Sequence, residues 1–247
     1  MRCGPARRLF VLATVLAAAT VAAAIAPLAV GPFAQATPGG PLPAGWAPLE
    51  FSGVERHTEY SLVRDGDGTV VVRALADRSA SGLIRKLDLP ADERPLLAWR
   101  WKADRLLARG DVRRKDGDDY PARVYVSFRY SPERLSFAQR IRWGTYRVFY
   151  GEYPPHAALN YIWDANAPAG TTAPNPFTDR VRMIVVESGP TRLSQWVAYE
   201  RDIAADYRIA FGEEPPPISG IALMTDADNT GETATAYYGD ITLSPRR

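Results

Sequence analysis

From Leu49 to the C-terminal end, apolar residues return mostly at every second position. Only an extended chain places such a pattern on one side, because successive strand side chains point to opposite faces. Ala122–Tyr130 is the clearest case: Val124, Val126, Phe128 and Tyr130 alternate with Arg123, Tyr125, Ser127 and Arg129. The runs Thr58–Arg64, Thr69–Ala76, Ser81–Leu89 and Pro95–Lys102 read the same way, as do Leu159–Trp163, Gln195–Ile203, Pro217–Thr225 and Thr233–Leu243. Val181–Glu187, apolar and unbroken from Met183 to Val186, predicts a strand buried on both faces. Asp65-Gly66-Asp67-Gly68 predicts a hairpin turn, and the proline-bearing stretch Ala165–Asp179 a long loop. Helical spacing appears only over Pro132–Val148 and Ala204–Phe211, the second closed by Gly212. The expected fold is therefore all-β: a β-sandwich of jelly-roll type with one or two short helices.

The first 36 residues read differently. Arg2, Arg7 and Arg8, with no acid, precede an apolar run from Leu9 to Val30, and Ala34-Gln35-Ala36 is a small-x-small site. That is the layout of a cleavable secretory signal over residues 1–36, cut after Ala36. The run is long enough to cross a bilayer, so an uncleaved anchor is the rival reading, and the only membrane contact expected. Residues 37–48, rich in Pro, Gly and Ala, are expected to be a linker, and 49–247 a single domain, periplasmic or secreted.

Removing the leader takes away three arginines and the only cysteine, Cys3. The domain left is nearly neutral, with one more acid than base, so no basic field remains to draw in nucleic acid. It also lacks the means for disulfides, thiolate catalysis or Cys-ligated zinc. With only His57 and His156, a histidine-rich zinc site is excluded too. There is no G-x-S-x-G elbow, no P-loop and no G-x-G-x-x-G.

Several clusters could carry binding. Asp118, Asp119 and Arg123 enter a strong strand and, with Lys102, could bind a polar ligand at one end of a sheet; fixing the loop would explain them equally well. Tyr125, Tyr161 and Trp163 are candidate platforms for sugar rings, whereas Trp99 and Trp101 are expected in the core. Asp226-Ala227-Asp228-Asn229-Thr230-Gly231-Glu232 concentrates oxygen ligands of the kind calcium prefers, although the EF-hand spacing fails at Thr230 and Tyr237. An Asx-stabilised hairpin turn between the last two strands accounts for the same residues.

Trp99-Arg100-Trp101-Lys102, Gly117-Asp118-Asp119-Tyr120-Pro121-Ala122-Arg123, Tyr161-Ile162-Trp163, Thr225–Glu232 and Tyr238-Gly239-Asp240-Ile241 resemble, in order, the family known as domain of unknown function 3047. The resemblance covers essentially the whole domain. It implies a bacterial envelope protein and supplies no catalytic residues. The ending Gly239-Asp240-Ile241 is also similar to the ends of jelly-roll carbohydrate-binding modules, where an acid near the last strand helps to hold a structural calcium; that similarity implies a site of Asp226, Asp228 and Asp240.

Three classes of function stand open. The first is a non-catalytic module binding a glycan or another polar envelope molecule. The second is a polysaccharide hydrolase or lyase using two strand-borne carboxylates among Glu187, Glu200, Asp202, Asp226 and Asp240. The third is an envelope assembly protein that docks through the basic, aromatic stretch 133–150.

Overall fold

The computed structural model describes residues 25–130 and 155–246. The helix expected near residues 132–148 lies outside them. Among the described residues are thirteen strands and one α-helix. The strands are β1 (Leu28–Gly31), β2 (Trp46–Leu49), β3 (Glu59–Arg64), β4 (Val70–Asp77), β5 (Ala80–Leu89), β6 (Leu96–Ala103) and β7 (Arg123–Phe128). They continue as β8 (Ala157–Asp164), β9 (Thr172–Asn175), β10 (Thr178–Ser188), β11 (Val197–Asp202), β12 (Ile218–Asp226) and β13 (Thr233–Ser244), with α1 at Ile203–Phe211. No described helix is long and apolar enough to cross a membrane.

The strands form two stacked sheets, a β-sandwich of the jelly-roll type. One sheet runs β11-β6-β13-β4-β3, and β1 joins it on β13. Strand β13 pairs with β6 along most of its length; its other edge is shared by β4 at Thr233–Tyr238 and β1 at Ile241–Leu243. The second sheet runs β2-β5-β12-β7-β8-β10-β9, with β8 and β10 parallel and every other neighbour antiparallel.

Aromatics from both sheets meet in the core. Trp99 stacks on Tyr161 at 5.2 Å, Trp101 faces Trp163 at 6.5 Å, and Tyr199 packs against both β6 tryptophans. The alternation of β7 dictates this arrangement: Val124, Val126 and Phe128 turn inward and are fully buried. The hairpin at Asp65–Thr69 forms as expected, with Gly68 at φ 86° and its N–H bonded to Asp65 O. Asp202 caps α1 by accepting from the Ala205 N–H at 2.9 Å, and Gly212 ends the helix in the left-handed region.

Three expectations change. The stretch Ala165–Asp179 is not a continuous loop, because Thr172–Asn175 adds an edge strand to β10. Asp226–Glu232 is not a hairpin between paired strands: β12 and β13 lie in different sheets, so this turn carries the chain across the sandwich. The sandwich also extends upstream of residue 49. Strand β1 pairs with β13, β2 pairs with β5, and Val30 and Phe33 are fully buried. Residues 37–48, expected as a linker, therefore end in sheet, with the Trp46 indole N–H bonded to Val30 O at 2.9 Å.

Candidate functional site

The outer face of the seven-stranded sheet is hollowed into a groove of about 730 Å³, within the usual range for small-molecule sites. Its floor comes from the outward-facing partners of the core residues: Ile84 on β5, Ala222 and Met224 on β12, Tyr125 on β7 and Ala158 on β8. Phe51 and Phe177 stand on its border, 38% and 57% exposed. Phe177 belongs to the turn between β9 and β10, where its N–H is held by Asn175 Oδ1.

One end of the groove is polar. Arg123, the first residue of β7, is buried there to 2% exposure. Its Nε donates to Asp226 Oδ1 at 2.7 Å, and Nη2 makes a second, shorter contact with the same carboxylate. Nη2 also donates to Asp118 O at 2.7 Å, and Nη1 donates to the Tyr125 hydroxyl at 3.0 Å. Asp118 Oδ1 lies 3.5 Å from Nη1, while its Oδ2 accepts from Asn175 Nδ2 at 2.8 Å. The Tyr120 ring covers the guanidinium at 4.6 Å. Behind this group, Asp119 accepts from Asn229 Nδ2 and from the Thr230 N–H, tying the inter-sheet turn to the loop before β7.

Burial sets the electrostatics. It raises the Asp118 carboxyl above the ordinary aspartate range, against the lowering effect of Arg123. Asp228 is raised by desolvation and by the neighbouring Asp119 charge. Burial opposes the charge of Arg123, but Tyr125, Asp118, Tyr120 and Asp119 around it outweigh that and push its pKa up. The guanidinium is therefore a fixed cation at the groove end.

The structure brings together Asp118, Asp119, Arg123, Asp226 and Asp228, with Tyr125 lining the same groove. It separates the other candidates. Tyr161 and Trp163 point inward and are wholly buried; Tyr161 donates to Asp206 Oδ2 at 2.8 Å and Trp163 Nε1 to Gly189 O at 3.1 Å. Their rings lie against Trp99 and Trp101 and offer no face to a sugar. One register step decides this, because Asn160 and Ile162, not Tyr161 and Trp163, take the outward positions of β8. Lys102 lies on the other sheet, bonded to Asp65 at 2.6 Å and set against the Trp196 and Tyr237 rings. Asp240 is also on that sheet, where Oδ1 accepts from the Ala34 N–H at 2.8 Å. Asp240 thus cannot join Asp226 and Asp228 around one ion.

Carboxylate oxygens of Asp119, Asp226 and Asp228 do approach within 4.8 Å of one another. Arg123 already engages Asp226, and both Asp119 oxygens accept N–H bonds, so this donor set does not fit a calcium ion well. The strand-borne acids considered for catalysis disperse as well: Glu187 accepts from the Tyr199 hydroxyl, Asp202 caps α1, and Asp226 pairs with Arg123.

Sequence reasoning missed the apolar floor and the border phenylalanines. One signal was present. Strand β12 is buried at nearly every position, so its outward residues Ala222 and Met224 are apolar on a face that strand alternation would leave polar.

Residues 44–242 match the model of a family described as "Protein of unknown function (DUF3047)", and the chain belongs to that family. No curated protein sequence matches the chain. Among solved structures, the family 11 carbohydrate-binding module of a cellulosomal cellulase of Clostridium thermocellum aligns with 90% of this chain and 96% of its own at 10% identity, TM-score 0.43. The family 30 carbohydrate-binding module of another cellulosomal cellulase of Clostridium thermocellum aligns with 90% and 99% at 11% identity, TM-score 0.42.

Proposed function

We propose that this member of the DUF3047 family is an exported, non-catalytic binding module of the bacterial cell envelope, and that its ligand is a carbohydrate or another polar envelope molecule. The observation that carries the reading is the groove: an open trough across a sheet, with an apolar floor and polar groups gathered at one end. Such a trough suits an extended chain of rings. The C–H faces of the rings would lie on Tyr125, Phe177 and the apolar floor, and the hydroxyls would bond Asn175, Asp118 and Asp228. Arg123 is too fully paired to take a ligand and serves to orient Asp118 and Tyr125.

Affinity electrophoresis and calorimetry against a panel of soluble polysaccharides and peptidoglycan fragments test this. Retardation by at least one glycan is expected, weakened about tenfold or more by Tyr125→Ala or Phe177→Ala and unaffected by Lys102→Ala. The reading fails if no glycan binds or if the groove variants bind as well as the parent.

A second reading is favoured by one observation: two carboxyls bordering the groove, Asp118 and Asp228, have raised pKa, as a general acid requires. Release of new sugar ends from a bound glycan, abolished by Asp118→Asn, would replace the binding module with a hydrolase or lyase.

A further inference from the structure

We propose that the leader is removed between Ala24 and Ile25, upstream of β1, and not after Ala36. The inference rests on export of the chain and is independent of what the groove binds. A cut after Ala36 would discard a strand. Leu28, Ala29 and Gly31 pair with Leu243, Thr242 and Ile241 of β13, on the edge that β4 leaves free. Val30 and Phe33 are fully buried, and a Cβ at Gly31 would sit 2.6 Å from the Phe33 ring, so the segment packs closely there. Three side chains outside the segment also depend on it. Trp46 Nε1 donates to Val30 O, Arg85 Nη1 donates to Ala29 O and Val30 O, and Asp240 receives the Ala34 N–H. Without residues 25–36, the core would lose two side chains, and the Trp46 indole N–H would lose its buried acceptor.

The bond to be cut can be placed more closely. Arg94 Nε donates to Ala26 O at 2.9 Å, so the docked segment reaches at least to Ala26. Immediately upstream, Ala22-Ala23-Ala24 meets the small-x-small requirement. The apolar run upstream of the cut is then Leu9–Ala24. At sixteen residues it falls short of the ~20 needed to span a bilayer and suits the h-region of a cleaved signal. The step is a hydrolysis. The C–N bond between Ala24 and Ile25 breaks, water contributes its hydroxyl to the Ala24 carbonyl carbon, and a proton goes to the new Ile25 amine. The host signal peptidase is the catalyst.

The full chain, residues 1–247, is produced in a bacterium, and the envelope fraction is analysed by N-terminal sequencing and intact mass. A product beginning at Ile25 is expected. Products beginning at Thr37 or Pro27, or retaining Met1, overturn the proposal. Ala24→Arg should make the unprocessed chain accumulate, and Ala34→Arg, at an exposed position, should not; the reverse pattern overturns it as well. In a third arm, chains beginning at Ile25 and at Thr37 are melted side by side. The shorter chain should melt lower or fail to fold, and equal midpoints would remove the structural ground for the assignment.

Discussion

Arg123 Nε donates to Asp226 Oδ1 at 2.7 Å, joining the first residue of β7 to the last residue of β12 across 103 positions of sequence, with both side chains 2% exposed. The pair sets the shape of the groove end, because the same guanidinium also holds the Asp118 carbonyl and the Tyr125 hydroxyl.

Removing one partner leaves a buried charge uncompensated. Arg123→Met is expected to cost about 3–5 kcal/mol in urea unfolding. The double variant Arg123→Met, Asp226→Leu should recover a large part of that loss, since two apolar side chains leave no orphaned charge. Recovery would be incomplete, because Asp226 also accepts the Tyr120 N–H at 3.2 Å. A strictly additive double variant would show that the pair is not coupled.

The raised pKa of Asp118 makes stability depend on pH. Burial is the main cause, so the folded state holds the proton more tightly than the unfolded state. Unfolding then releases protons, and this contribution is fully present below the ordinary aspartate pKa of ~3.9 and is lost as pH rises through the folded value. Asp118→Asn keeps an acceptor for Asn175 and carries no charge to desolvate. The variant should therefore melt as high as the parent or higher at pH 7.5, with any advantage shrinking as pH falls towards 4. A parent that loses stability relative to the variant on acidification would reverse the sign.

Two aromatics separate folding from binding. Trp163 is wholly buried, so Trp163→Ala should cost about 3–5 kcal/mol. Phe177, 57% exposed on the groove border, should tolerate alanine within about 0.5 kcal/mol. Thermal melts of both variants, run beside glycan binding of Phe177→Ala, check that the second loses ligand without losing fold.

In the cluster of Asp119, Asp226 and Asp228, Arg123 pairs with Asp226 and N–H donors occupy both Asp119 oxygens. Melting midpoints in calcium and in a chelator are expected to agree within about 1 °C. A chelator-induced drop would mean that an ion binds there despite the guanidinium, since a ligand that binds only the folded state raises its midpoint.

Strand identity was legible because it is local. The two-residue period of Val124, Val126 and Phe128 states which side chains face the core, whatever packs against them. The stop at Gly212 and the turn at Asp65–Gly68 depend on a few neighbouring residues and formed as expected. Asp118, Asp119 and Arg123 were legible as one cluster because they are near in sequence, whereas their meeting with Asp226 depends on β7 lying beside β12, which no local pattern records.

Other features were decided between strands. Alternation says that residues 160 and 162 oppose 161 and 163, but not which pair faces the core; packing against Trp99 and Trp101 turned Tyr161 and Trp163 inward. Lys102 was expected beside Asp118, Asp119 and Arg123, and Asp240 beside Asp226 and Asp228, yet both belong to the opposite sheet, and no local pattern records sheet membership. Residues 28–36 carry the composition of an export leader, and only the open edge of β13 makes part of them a strand. The sequence by itself determined the extended chain, the turn at Asp65–Gly68 and the helix stop at Gly212, through interactions spanning a few residues. Which strands are neighbours, which face holds the groove and where the fold begins were decided by tertiary pairing, whose hydrogen bonds and buried contacts join residues as far apart as Leu28 and Leu243.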